Sequence, residues 1–116
     1  MKSIAELQIF IEANDIEFIE DFIEKLKETS RNEFLQLISL LKIIFINEDN
    51  ILTLNKIALV FNTFKIYSAT PLIVSKLLSE KHNHDGGTLV YSLQDLRCHS
   101  YLHELKILFG REISYE

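Results

Sequence analysis

Apolar residues recur at helical spacing along almost the whole chain, and polar capping residues punctuate the pattern. Ile4, Leu7 and Ile11 share one face of a first short helix. Ser3 precedes it and Glu6 follows three residues later, a capping box in which each side chain satisfies a free N-terminal amide. Asn14 or Asp15 interrupts the run and caps a second helix to about Glu28, with Ile16, Ile19, Phe22, Ile23 and Leu26 inward. Ser30 with Glu33 repeats the capping box and opens a third helix to about Asn47. That helix is apolar nearly all round, which predicts a position at the centre of the core. "NEDN", Asn47 to Asn50, is the next corner.

The following segment is ambiguous. Thr53 is a candidate cap for a fourth helix with Leu54, Ile57, Ala58, Phe61 and Phe64 inward. Yet "IALVFNTFKIY" is rich in β-branched and aromatic residues and also reads as a strand. Thr70-Pro71 starts a further helix, to about Lys81, with a capping hydroxyl and then a proline where no amide hydrogen bond is lost. It carries Ile73, Val74, Leu77 and Leu78. Asp85 caps the next, which holds Leu89, Val90, Leu93 and Leu96. A last helix from about His99 to Phe109 places Tyr101, Leu102, Leu105, Leu108 and Phe109 on one side, ahead of a helix-ending Gly110. The pattern predicts an all-α fold of antiparallel helices joined by short corners. Two arrangements fit: helix pairs stacked as a small α-solenoid, or a compact helical bundle.

Composition agrees. The 116 residues are 47% hydrophobic, enough for one domain with one core spanning 1–116. Three glycines and one proline are too few for the many tight turns of a β-sandwich. No Pro-, Gly- or Ser-rich linker divides the chain. The longest apolar stretch, Phe34 to Ile46, contains Gln36, Ser39 and Lys42 and falls short of the about 20 apolar residues a bilayer crossing needs. The N-terminal pattern includes acids and does not read as a signal peptide, and the lone Cys98 permits no intrachain disulfide, so a cytoplasmic protein is expected.

Charge changes the picture more than composition does. Residues 1–30 carry three lysines against eight acids, whereas residues 31–116 carry nine basic and nine acidic groups. The entire net charge of -5 therefore sits in the N-terminal quarter. On the second helix Glu17, Asp21, Glu24 and Glu28 form a ridge opposite the apolar face, with Asp21–Lys25 and Glu24–Lys27 as candidate surface pairs. An acidic face repels phosphate backbones and anionic lipid, so neither nucleic acid nor membrane is an expected partner. A basic protein is.

Other chemistry is sparse. His82, His84 and Asp85 crowd one corner, and His99 and His103 stand four apart beside Cys98. The HxxxH pair lacks the intervening glutamate of a zinc protease and lies opposite Tyr101 and Leu105 on the wheel, so solvated histidines are expected and no metal or other cofactor. Gly86-Gly87 opens a helix, but Asp85 at its entrance competes with any anion and no phosphate-loop signature surrounds it. Cys98 and His99 are neighbours and diverge by about 100° on a helix, a poor nucleophile pair. No catalytic pair is visible, and the chain does not read as an enzyme.

The segment "ATPLIVSKLLSEKHNHDGGTLVYSLQDL", Ala69 to Leu96, resembles a HEAT-like repeat. Ala69, Pro71, Ile73, Leu77 and Leu78 match its first helix, and Leu89, Val90, Leu93 and Leu96 its second. More narrowly, "GGTLVYSL" is similar to a stretch of the small HEAT-like immunity proteins of contact-dependent growth inhibition systems, with Ser92 where an alanine is expected. "SYLHELKILFGREISYE" looks like the opening of a following repeat, so either the chain ends on a half repeat or the sequence is truncated within one. The resemblance covers residues 69–116 and leaves 1–68 as N-terminal helices without a match. It implies a monomeric protein that binds a cognate toxin domain one to one and neutralises it by occlusion. A nuclease toxin would be basic, suiting the ridge of Glu17, Asp21, Glu24 and Glu28. Glu48, Asp49, His82, His84 and Asp85, at two corners of one rim, form a second candidate edge. The alternative is a helical-repeat adaptor with an endogenous partner.

Overall fold

The computed structural model describes residues 3–78, which form five α-helices and a 3₁₀ turn with no strand among them. Helices α1 (Ile4–Ala13), α2 (Ile16–Thr29), α3 (Arg31–Asn47) and α4 (Ile51–Thr63) are joined by corners of one to three residues. The turn Tyr67–Ala69 leads directly into α5 (Thr70–Leu78). The expected helices around Asp85 and from His99 lie outside the described residues. Among the described residues no helix is long and apolar enough to cross a membrane.

Local chemistry sets the boundaries. Ser3 Oγ accepts from the Glu6 amide at 3.2 Å and donates to the Glu6 carboxylate at 3.2 Å, so the reciprocal contact runs through the hydroxyl. Asp15 caps α2 by accepting from the Phe18 amide at 2.9 Å, while Asn14 Nδ2 closes the end of α1 on the Phe10 carbonyl at 2.8 Å. Ser30 serves two helices: its amide donates to the Leu26 carbonyl at 2.8 Å, and its hydroxyl accepts from the Glu33 amide at 3.3 Å. Such caps contribute about 1 kcal/mol each.

Two expected caps are corrected. Asn50, not Thr53, caps α4, accepting from the Leu52 and Thr53 amides at 2.9 and 3.4 Å. Thr53 lies one turn further in and is buried. Thr70 already has helical angles (φ −53°, ψ −48°), because the preceding 3₁₀ turn continues into α5 without an extended cap residue. Helix α4 is a helix throughout, which removes the strand reading. It ends in a Schellman arrangement: the Ile66 amide donates to the Phe61 carbonyl at 2.9 Å and the Lys65 amide to Asn62 at 3.2 Å. Lys65 takes the left-handed conformation this requires, with φ 54°.

Helix α3 touches α1, α2, α4 and α5, while α1 and α2 each also touch α4. The core runs through Leu7 and Ile11, Ile19 and Ile23, Leu41 and Phe45, Ile57 and Phe61, and Ile73. Phe45 and Phe61 meet edge to face at its centre, with ring centroids 5.8 Å apart. Helix α3 is central but not enclosed. Leu35, Ile43 and Ile46 are exposed on its outer side, so its all-round apolarity overstates its burial. Ile4, expected inward, is also exposed, because only Leu7 and Ile11 of that stripe reach the core.

Candidate functional site

Helix α2 presents the acidic ridge. Ile19 and Ile23 are buried and Ile16, Phe22 and Leu26 half-buried, which turns Glu17, Asp21, Glu24 and Glu28 outward, where all four are exposed. None of the four is hydrogen-bonded or ion-paired to another described residue. The expected lysine pairs do not form. Lys27 instead places its ammonium 5.8 Å from the ring centroids of both Phe34 and Phe64, where the π-faces attract it. Glu20, on the flank of α2, accepts from the Thr63 hydroxyl and ties the helix to the end of α4.

An aromatic group borders the ridge. Phe18 follows Glu17 in sequence and keeps 54% of its surface exposed. Phe10 stands behind it, 6.0 Å from Phe18 and 5.0 Å from Phe22 between ring centroids. The cluster leaves one large apolar face in solvent beside carboxylates, a composition that suits a protein partner: an aromatic anchor with a charged rim.

The second candidate edge divides. Glu48 is committed internally: its carboxylate accepts from Gln8 Nε2 at 3.1 Å and from the Asp49 amide at 3.1 Å, and its carbonyl accepts from Lys76 Nζ at 2.7 Å. Asp49 is exposed at the same corner. His82, His84 and Asp85 lie outside the described residues, as do Gly86, Gly87, Cys98, His99 and His103. Among the described residues no group of three His, Cys, Asp or Glu side chains is placed to hold a metal ion.

One feature was not legible beforehand. The α1–α2 corner and the start of α4 enclose an open cleft of about 700 Å³, with Glu12, Asp15 and Ile16 on one side and Leu52, Asn55 and Lys56 on the other. Lys56 reaches across its base and donates from Nζ to the Ile11 carbonyl at 3.0 Å and the Asn14 carbonyl at 2.8 Å. Residues some 40 positions apart make this cleft, so no local motif marks it. Leu52, an apolar residue off the inward stripe of α4, was the only local sign.

No family model matches this chain, and no curated protein or solved structure is significantly similar to it.

Proposed function

We propose that this chain is a protein-binding helical module that acts as an immunity protein, capturing a basic toxin domain on the outer face of α2 and occluding its active site. The observation that carries the reading is the ridge itself. Four exposed carboxylates, Glu17, Asp21, Glu24 and Glu28, have no partner among the described residues and stand beside the exposed Phe18. Concentrated charge of one sign works against a compact fold through self-repulsion, and it raises association rate and specificity toward a surface of opposite sign. A nuclease is such a surface, since its active site is built to hold phosphate. The resemblance of Ala69 to Leu96 to HEAT-like immunity proteins points the same way. Stacked helix pairs are the architecture we read from that resemblance, while α1 and α2 each pack against both α3 and α4 in a compact helical globule.

The test has two steps. Tagged protein is used to isolate partners from its native cells, and any recovered toxin fragment is then expressed in a susceptible strain. Restoration of growth by this chain, and its loss when Glu17, Asp21, Glu24 and Glu28 are all changed to Lys, is the expected result. Recovery of a housekeeping protein in place of a toxin supports the adaptor function instead. Growth rescue by the four-lysine variant removes the ridge from the mechanism.

A further inference from the structure

Helix α3 is apolar nearly all round, yet its outer side lies open. Leu35, Ile43 and Ile46 keep between 42 and 54% of their surface exposed. With Ser39 they follow one line along the helix, in steps of four, four and three residues that keep to a single face. Single exposed apolar residues are ordinary, but a continuous stripe calls for an occupant. At 1.5 Å per residue this one runs for about 17 Å. No acid lies on it, and Lys42 borders it.

Two tethers bring the end of the described chain beside this stripe. Lys42 Nζ donates to Ser68 Oγ at 2.6 Å, and Lys76 Nζ donates to the Glu48 carbonyl at 2.7 Å. The chain from Ser68 to Lys76 therefore advances in the same sense as α3 from Lys42 to Glu48, and α5 finishes at the end of α3 where Ile46 stands. Residues 79–116 lie outside the described residues. Their sequence carries an apolar stripe of matching length, Leu89, Val90, Leu93 and Leu96 behind the capping Asp85. A helix over residues 85–96 is about 17 Å long. Alone in water a helix that short is marginal, so its stripe needs a covering surface. Residues 79–84 reach up to about 20 Å when extended, ample for the about 8–10 Å between packed helices.

We propose that residues 85–96 dock on the outer side of α3, antiparallel to it, with Leu89 and Leu93 against Leu35, Ile43 and Ile46. A second copy or a foreign protein competes at a disadvantage, because the short tether gives this segment an effective concentration on the order of millimolar. Charge selects this face over the exposed Phe18 on α2. The segment holds Asp85 and Asp95 and no base between Lys81 and Arg97. Near Phe18 it would meet Glu17 and Asp21, like charges that repel it, whereas on α3 the bordering charge is Lys42, which stays positive on its neutral Ser68 partner. The α2 face is thereby left open. This inference does not rest on the immunity reading, and that reading does not rest on it.

The full chain is prepared with ¹³C-labelled isoleucine, leucine and valine methyls. Nuclear Overhauser cross-peaks from Ile43 and Ile46 to Leu89, Val90 or Leu93 are expected. They should be absent from the isotope-filtered spectrum of a mixed labelled and unlabelled sample, which reports only contacts between copies. Ile43→Ser with Ile46→Ser should lower the thermal midpoint by about 10 °C, as buried truncations do. Leu89→Ser with Leu93→Ser should lower it similarly and move the Ile43 and Ile46 methyl signals. Isoleucines open to solvent would shift the midpoint by only about 2–3 °C. No cross-peak from Ile43 or Ile46 to residues 85–96, cross-peaks only between copies, or so small a midpoint change in both double variants would each overturn the proposal. The cross-peaks are read on the unsubstituted chain, so a variant that fails to fold leaves the test intact.

Discussion

Lys56 is placed to hold the N-terminal helix on the rest of the molecule. Helix α1 has no basic residue in its last turn, so beyond the neutral Asn14 cap on the Phe10 carbonyl no charge of its own answers the partial negative charge at that end. Lys56 supplies it from α4, donating to the Ile11 and Asn14 carbonyls at 3.0 and 2.8 Å. Changing Lys56 to Met keeps most of the aliphatic stem and deletes the ammonium. Hydrogen bonds to charged groups contribute roughly 1.5–3 kcal/mol each. Both bonds here share one ammonium, and that ammonium is only partly buried, so water replaces part of the loss. The net cost is about 2 kcal/mol, a sizeable fraction of the roughly 5–15 kcal/mol that holds a typical domain together. Urea denaturation followed by circular dichroism measures it directly. With a slope of roughly 1.3 kcal/mol per molar, the midpoint should fall by about 1.5 M at unchanged slope. Lys42→Met is the control, because Lys42 donates to the exposed Ser68 hydroxyl at 2.6 Å and bridges no helix end. Its cost should stay below about 0.5 kcal/mol. A Lys56→Met variant as stable as the Lys42→Met control would refute the assignment of Lys56 as the clasp of α1.

Two further outcomes follow from backbone and charge. Lys65 holds φ 54° at the C-terminal turn of α4, a conformation that costs a non-glycine residue about 1–2 kcal/mol, of which glycine's larger unfolded-state entropy returns roughly half. Lys65→Gly should therefore be about 0.5 kcal/mol more stable than Lys65→Ala, which deletes the same side-chain interaction, with a thermal midpoint about 2–4 °C higher; an alanine variant as stable as the glycine variant would contradict the Schellman account of this turn. Glu28 lies in the last turn of α2, four residues after Glu24, where it opposes both the helix dipole and a like charge. Glu28→Lys should raise stability by about 0.5 kcal/mol in low salt, and the gain should vanish near 1 M salt, where the screening length is about 3 Å. Such a gain, combined with weaker partner binding, is the signature of charge retained at the expense of stability; no gain in low salt would mean that the ridge carries no self-repulsion.

The helices were legible because their causes are local. Ser3, Asp15 and Ser30 cap the helices that follow them, since a capping side chain need reach only the next two or three amides. The outward placement of Glu17, Asp21, Glu24 and Glu28 follows equally from 3.6-residue periodicity and the inward stripe of Ile19 and Ile23. Errors began where two local signals competed. Asn50 and Thr53 are both capping residues three positions apart, and the choice of Asn50 puts Thr53 inside the core. The 3₁₀ turn at Tyr67–Ala69 is too short to show a period.

The helical class over these residues, most helix boundaries and the existence of an acidic face follow from local sequence, because each depends on residues within about one or two turns of one another. Tertiary structure decided what those elements do together. It sent Lys27 to the Phe34 and Phe64 rings and away from Glu24, and it bound Glu48 to Gln8 and Lys76. It left Leu35, Ile43 and Ile46 outside and brought Glu12 and Asp15 opposite Leu52 and Asn55 around a cleft. These outcomes depend on which helix faces meet across tens of residues. Periodicity names the face each helix offers, and only the packing of whole helices decides what lies against it.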